Sequence, residues 1–314
     1  ERDDLSSPVR TQVIELIDEW TGLINIHDEL PKASEKVGFL SLWLLEKVKD
    51  SYRGEGQRKK ILNALLKVST AIKDDFDELM KQDVFTSKIK PRRLSYVDEL
   101  SSLALIGFNV PMLCKFYPDF VVKLSMHEWL LEESEENDYG YGSYRVDVEE
   151  SFGLDTERDF FPASGAKGPF KYLLQFKPRL GLDFIIRLCN LTAQKYSESD
   201  FSKTQDNKED TIYAFETVAK QVDITLNDGT VVKQYASPHL WKGYRGQSTL
   251  PYLLQSALMA LENWLVEYVE NCGKNNEIDW IFDYVLRSSN SVMPTSVLSS
   301  VATGFPNKVG KAAF

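Results

Sequence analysis

The clearest pattern along the chain is an apolar stripe between Thr249 and Tyr268. Leu250, Leu253, Leu254, Ala257, Leu258, Leu261, Trp264, Leu265 and Tyr268 recur at the i, i+3, i+4, i+7 spacing of one helical face. Ser248 or Thr249 can accept hydrogen bonds from the free first-turn N–H groups, and Pro251 suits that first turn. Gly273 supplies the left-handed residue that closes a helix. Met259 and Ala260 lie off the stripe, so this helix is expected to be covered on two sides, as an interior helix of a layered, all-helical protein.

The same period predicts helices over 8–26, from Pro31 with Val37, Leu40, Leu44, Leu45 and Val48 inward, and from Ile61 to Leu79. It continues over 96–108, from Pro118, over 170–176, 179–196 and 211–221, and over 276–287, 292–303 and 306 onward. Gly, Pro and charge mark 51–56, 88–93, 132–144 and 160–169 as loops or linkers. The period changes once: Val222–Leu226 and Thr230–Tyr235 alternate around Asn227-Asp-Gly229, a hairpin signal.

The predicted fold class is all-α, an α-solenoid-like stack of helix pairs with a small β-hairpin insertion near 222–235. A helix end, a proline and a fresh apolar helix recur at Pro118, Pro178 and Pro306. Their unequal spacing indicates a degenerate stack and not a strict repeat. The organisation read from this is an N-terminal helical region over 1–135, an irregular acidic and Gly-rich region over 136–170, and C-terminal helical repeats over 171–314.

Composition narrows the function classes. The 314 residues are 43% hydrophobic and 27% charged, an ordinary globular balance that needs no disulfide or metal to hold a core. The chain does not begin with Met, and it reads as an ordered piece of a longer polypeptide. A net charge of −10 argues against a general nucleic-acid binder. Cys114, Cys189 and Cys272 sit far apart among apolar residues, as small buried hydrophobes in a reducing cytoplasm. No secretory signal is visible. The uncharged stretches Ser101–Cys114 and Ser288–Asn307 are respectively too short and too rich in Ser and Thr to be membrane spans. The location expected is cytoplasmic.

Catalytic signatures are missing from the pattern. Gly304–Lys311 has five residues between its glycines where a phosphate-binding loop needs four, and Ala312 replaces the magnesium-binding hydroxyl. His27, His127 and His239 are scattered without metal-ligand spacing, and no Gly-x-Ser-x-Gly elbow occurs. Ser288–Ser300 suits helix packing and capping better than nucleophilic chemistry. No catalytic residue, metal ligand or cofactor is therefore assigned to this segment. The candidate site is Trp241-Lys-Gly-Tyr-Arg-Gly246, where Trp241, Tyr244 and Arg245 have the residue types of interface anchors. Alternatively, Trp241 and Tyr244 plug a gap at the start of the next helix. The acidic run 132–138 is either a solvated loop or an attractor for a basic partner.

Two blocks carry a family resemblance. One is Phe160-Phe-Pro-Ala-Ser with Pro169-Phe-Lys-Tyr-Leu-Leu-Gln-Phe-Lys-Pro-Arg-Leu-Gly-Leu-Asp-Phe-Ile-Ile186. The other runs from Tyr244-Arg-Gly through Leu250–Leu265 to Leu286-Arg-Ser-Ser-Asn-Ser-Val and Val297–Val301. Together, over about a third of the chain, they resemble a helical region of very large bacterial ATP-binding proteins akin to STAND-type, Avs-like anti-phage NTPases. The resemblance implies a nucleotide-binding core outside this chain, coupled to an effector and to a helical array that recognises a foreign protein and promotes oligomerisation. The expected function is thus a non-catalytic, protein-binding sensor or scaffold segment of such a defence NTPase. Its partners would be a phage-derived target or other domains of the same chain, with no membrane. The alternatives are a metal-dependent hydrolase or nuclease with dispersed carboxylates, and a helical nucleic-acid platform using Arg58–Lys60 and Lys88–Arg93.

Overall fold

The computed structural model describes residues 7–49, 55–86, 95–131, 144–155, 160–199, 218–243, 250–271 and 276–313. The fold is all-α: the described residues are 74% helical and 6% strand, and their one sheet is a two-stranded antiparallel hairpin. The chain divides into two compact units, Glu1–Glu128 and Trp129–Phe314. The boundary falls near the acidic run 132–138, which lies outside the described residues.

In the first unit, α1 (Ser7–Gly22), α2 (Ser34–Val48) and α3 (Glu55–Val68) pack together with α3 in the middle. Ile61, Leu62, Ala64, Leu65, Leu66 and Val68 are all buried, so α3 is apolar nearly all round and needs cover on several sides. At its polar end, buried Arg58 forks onto Glu99 of α5 (Ser95–Leu105), with Nε 2.8 Å from Oε2. That hydrogen bond holds the Arg58 guanidinium above its ordinary pKa. The helix expected from Ile61 to Leu79 is broken. A 3₁₀ turn at Ser69–Ile72 separates α3 from α4 (Lys73–Leu79), and a π turn at Met80–Val84 follows. The physical reason is local: Ser69 Oγ donates to the Leu66 carbonyl at 2.9 Å. The turn also sets Ile72 so close to α2 that a Cβ on Gly38 would lie 2.8 Å from Ile72 Cγ2.

The remaining helices of this unit are α6 (Val110–Phe116) and α7 (Pro118–Trp129). Tyr117, Phe120 and Phe76 form an aromatic cluster with centroids 5.1–6.2 Å apart. No single described helix is long and apolar enough to cross a membrane. The bent pair Tyr96–Leu105 and Val110–Phe116 passes only jointly, across a 76° break, and supplies Tyr96, Leu100, Leu113 and Cys114 to the core.

In the second unit, α8 (Tyr144–Ser151), α9 (Phe170–Phe176) and α10 (Pro178–Glu198) precede the hairpin β1 (Lys220–Thr225) and β2 (Val231–Ala236). Then come α11 (Pro238–Lys242), α12 (Tyr252–Asn271), α13 (Asn276–Ser288), α14 (Val292–Gly304) and α15 (Pro306–Ala313). Helix α12 carries the opening apolar stripe and is covered as its pattern demands: α9, α10 and α14 all pack on it. The Phe160–Pro169 loop also lies on α12. A Cβ on Gly165 would meet the Ala260 nitrogen at 3.0 Å, and Ser164 N–H donates to Ser256 Oγ at 3.1 Å. Trp129, Phe160, Phe170 and Phe184 stack into one aromatic core here.

The three proline corners share one geometry. Tyr117, Lys177 and Phe305 have φ/ψ of −137/53, −141/69 and −128/55, outside the helical region that a following proline disfavours. Each still donates its N–H to the carbonyl four residues back, so the first helix ends satisfied and the next begins at once. At the middle corner α9 and α10 approach so closely that a Cβ on Gly181 would lie 2.7 Å from the Leu174 nitrogen.

Candidate functional site

The hairpin is set by its turn. Leu226 and Thr230 pair across Asn227-Asp-Gly229, with Gly229 N–H on the Leu226 carbonyl at 2.9 Å and Gly229 at φ +81. This is a three-residue turn closed by a left-handed glycine, and it fixes the register. Asp228 accepts from Thr230 N–H at 2.9 Å and from Arg287 of α13 at 2.7 Å. Those bonds hold its carboxyl down at about 2.

The register runs Lys220↔Ala236, Val222↔Gln234 and Ile224↔Val232. Strand β1 starts at Lys220, so Lys220 and Gln221 are strand residues and not the end of the helix expected over 211–221. Residues 211–217 of that helix lie outside the described residues. Tyr235 N–H points the other way, onto the Asn290 carbonyl at 2.7 Å, and docks β2 on the α13–α14 turn. Asn190 of α10 holds the same turn from below: its Nδ2 donates to the Ser288 carbonyl at 2.9 Å, and its Oδ1 accepts from Asn290 N–H at 2.8 Å. Ser291 caps α14, and Ser300 donates to Glu262 at 2.8 Å, so serines of this stretch serve packing and capping.

Ser237 breaks the strand and caps α11, accepting from Leu240 N–H at 3.1 Å, with Pro238 at the first helical position. This short helix turns His239 inward, where it stacks on Tyr196 at 5.6 Å and meets Phe152 at 6.4 Å. It turns Trp241 outward, and Trp241 keeps 42% of its surface exposed. At the end of α11, Gly243 packs so tightly on Leu250 that a Cβ there would lie 1.6 Å from Leu250 Cδ1.

Between the hairpin and these helices opens an apolar groove of about 600 Å³. Val218, Val222, Ala236, Pro238, Trp241 and Val292 form its walls. Lys220 and Lys242 border it, and no carboxylate is among its described lining residues. Behind Val222, Gln234 is fully buried. Its Oε1 accepts from Thr295 at 2.8 Å, while its Nε2 has no hydrogen-bond partner among the described residues. Of the residues singled out in the sequence, Trp241 stands on this groove, and Tyr244 and Arg245 lie outside the described residues. The contribution of Val218, Lys220, Val222 and Val292 was not legible, because only the hairpin's docking on α14 brings them together. The available signal was Val222, an apolar residue between the polar neighbours Gln221 and Asp223 in a strand.

Other candidate chemistry is accounted for locally. Among the described residues, no group of three or more His, Cys, Asp or Glu side chains is placed to hold a metal ion. Cys114 and Cys189 are buried; burial raises the Cys114 thiol and pushes Cys189 up to about 12. Burial thus disfavours the thiolate form of both. Cys272, the basic tract 88–93 and the acidic run 132–138 lie outside the described residues. Of the basic cluster 58–60, Arg58 is engaged by Glu99, and Lys60 by Glu15 and Asp18. The chain's sequence matches no protein-family model and no curated protein.

Proposed function

We propose that the chain is a non-catalytic, protein-binding segment that recognises its partner through the Trp241 groove. The observation that carries this reading is a half-exposed tryptophan on the wall of an open apolar groove bordered by lysines. Tryptophan is the residue type most enriched among binding hot spots, and an apolar recess beside it supplies the desolvated setting such anchors use.

The two sequence blocks that resemble Avs-like, STAND-type proteins support a more specific role. In it the helices form a solenoid-like sensor or scaffold of a large bacterial anti-phage NTPase. The phage-derived target would be captured here, and oligomerisation and nucleotide chemistry would belong to the parent chain in the cytoplasm. The recurrent corners at Pro118, Pro178 and Pro306 are in keeping with a degenerate helical array.

The test is a plaque assay on a bacterial host expressing the complete gene product, challenged with a phage panel. Protection is expected, and Trp241→Ala should reduce it about tenfold or more at equal protein level, as loss of a hot spot does. Equal protection by Trp241→Ala would remove the groove from recognition. Absence of protection against every phage would overturn the defence role.

A further inference from the structure

The register of the hairpin determines which backbone groups face outward. Leu226 N–H donates to the Thr230 carbonyl, which makes Leu226–Thr230 a hydrogen-bonded pair. Alternation along an antiparallel ladder then assigns Ile224–Val232, Val222–Gln234 and Lys220–Ala236 to the same class. The outward N–H of Tyr235, bonded to Asn290, agrees with this phase. The backbone groups of Gln221, Asp223 and Thr225 therefore point away from β2, and none is hydrogen-bonded to another described residue. Strand β2 has its outer edge docked at Tyr235; strand β1, among the described residues, has its outer edge open.

That open edge adjoins the groove. Lys220 and Val222 belong both to β1 and to the groove lining, and their side chains share one face of the hairpin with Ile224. We propose that an extended peptide adds to β1 as a third strand, pairing with Gln221, Asp223 and Thr225. Its side chains on the groove face would carry one carboxylate beside Lys220 and two apolar residues beside Val222 and Ile224. This rests on the groove reading above and names the occupant of that site.

Period-two geometry makes the recognised pattern acidic-x-apolar-x-apolar, or its reverse if the added strand runs the other way. The acidic preference follows from the lining, which holds two lysines and no carboxylate among its described residues. Lys220 forms no ion pair with a described residue. Main-chain hydrogen bonds would hold the strand, and the Trp241 side of the groove would select its apolar residues. A second copy of the chain fits the edge less well. In the symmetric pairing that uses all three outward residues, Asp223 would face its own carboxylate, a repulsive cross-strand pair.

The experiment uses the 314-residue chain as bait for a displayed random library of roughly nine-residue peptides. The best binder is then synthesised with a fluorescent label and titrated by anisotropy. Two backbone-methylated forms are compared, one blocking the alternate amides that would face β1 and one blocking the intervening amides. Enrichment of the acidic-x-apolar-x-apolar pattern is expected. Methylation of one set should weaken binding about tenfold or more, and of the other set less than about threefold. Asp223→Pro gives the reciprocal test, since it removes an outward N–H and leaves the β1–β2 ladder its bonds. It should also cost about tenfold in affinity. Lys220→Glu should shift the selected peptides away from acidic residues.

If Trp241→Ala weakens the peptide but neither methylated form nor Asp223→Pro does, strand addition is wrong and the groove reading survives. Peptides indifferent to Trp241→Ala as well, or no enrichment over an empty support, would remove both. Concentration-dependent dimerisation that Asp223→Pro abolishes would assign the edge to a second copy and overturn the peptide.

Discussion

Asp228 shows how much a single turn residue is asked to do. Its carboxylate closes the hairpin turn onto Thr230 and ties the hairpin to Arg287 of α13. With its folded value held at about 2, below the roughly 3.9 of an unfolded aspartate, the unfolded state binds more protons between those limits. The stabilisation is therefore complete above about pH 4 and is lost as pH falls toward 2. In urea titrations, the midpoint difference between wild type and Asp228→Asn should be constant above pH 4 and should vanish near pH 2. A difference that grows on acidification would refute the assignment. At this scale the sequence was informative where chemistry is local: Asn227-Asp-Gly229 announced the turn. It was silent on Gly243, whose lack of a side chain matters only because Leu250 is folded back onto it.

At the scale of the element, α1 stands out because it is apolar on two faces and, among the described residues, covered on one. Ile14, Ile17 and Thr21 are buried against the rest of the first unit. Val9, Val13, Leu16, Trp20 and Leu23 follow a 4-3-4-3 spacing on the other side, with Leu16 66% and Leu23 83% exposed. Because so little of the two leucines is buried, converting them removes little packing. Leu16→Lys with Leu23→Lys should change the unfolding free energy by no more than about 0.5 kcal/mol in chemical denaturation. Ile14→Ala on the buried face should cost about 2–5 kcal/mol. A large loss in the double variant would show that this face is covered after all. Periodicity located α1 but could not say which of its two apolar faces the unit would take. A related limit explains the helix expected from Ile61 to Leu79: its apolar period runs through Ser69–Ile72, and that period does not register the Ser69 hydroxyl on the Leu66 carbonyl where α3 ends.

On the scale of the whole chain, each unit carries its own buried core, centred on α3 in one and on α12 in the other. Leu65 and Leu258 are both fully buried at these centres. Truncation to alanine at either should cost about 2–5 kcal/mol, the range for a leucine removed from a packed interior. Hydrogen exchange is the suitable readout, since it reports the helices of the affected unit directly. Leu258→Ala should accelerate exchange in α9, α10, α12 and α14, the helices that meet around it. Retained protection in those four would mean that α12 does not organise this core.

The sequence by itself determined the all-helical class, the interior helix α12, the proline corners and the position and turn of the hairpin. Each depends on interactions within a few residues: a period of apolar positions, a capping hydroxyl, a fixed proline φ, a left-handed glycine. It also singled out Trp241, since residue type alone sets it apart. Tertiary structure decided that Trp241 lines a groove, that Val222 and Val292 share it, and that, among the described residues, β2 is the docked edge and β1 the open one. Those outcomes depend on Asn290 meeting Tyr235 and on Asn190 bracing the turn that carries Asn290, contacts between residues 55 and 100 positions apart. No local pattern encodes such meetings, because the free energy that selects them comes from packing the helices of the second unit around α12.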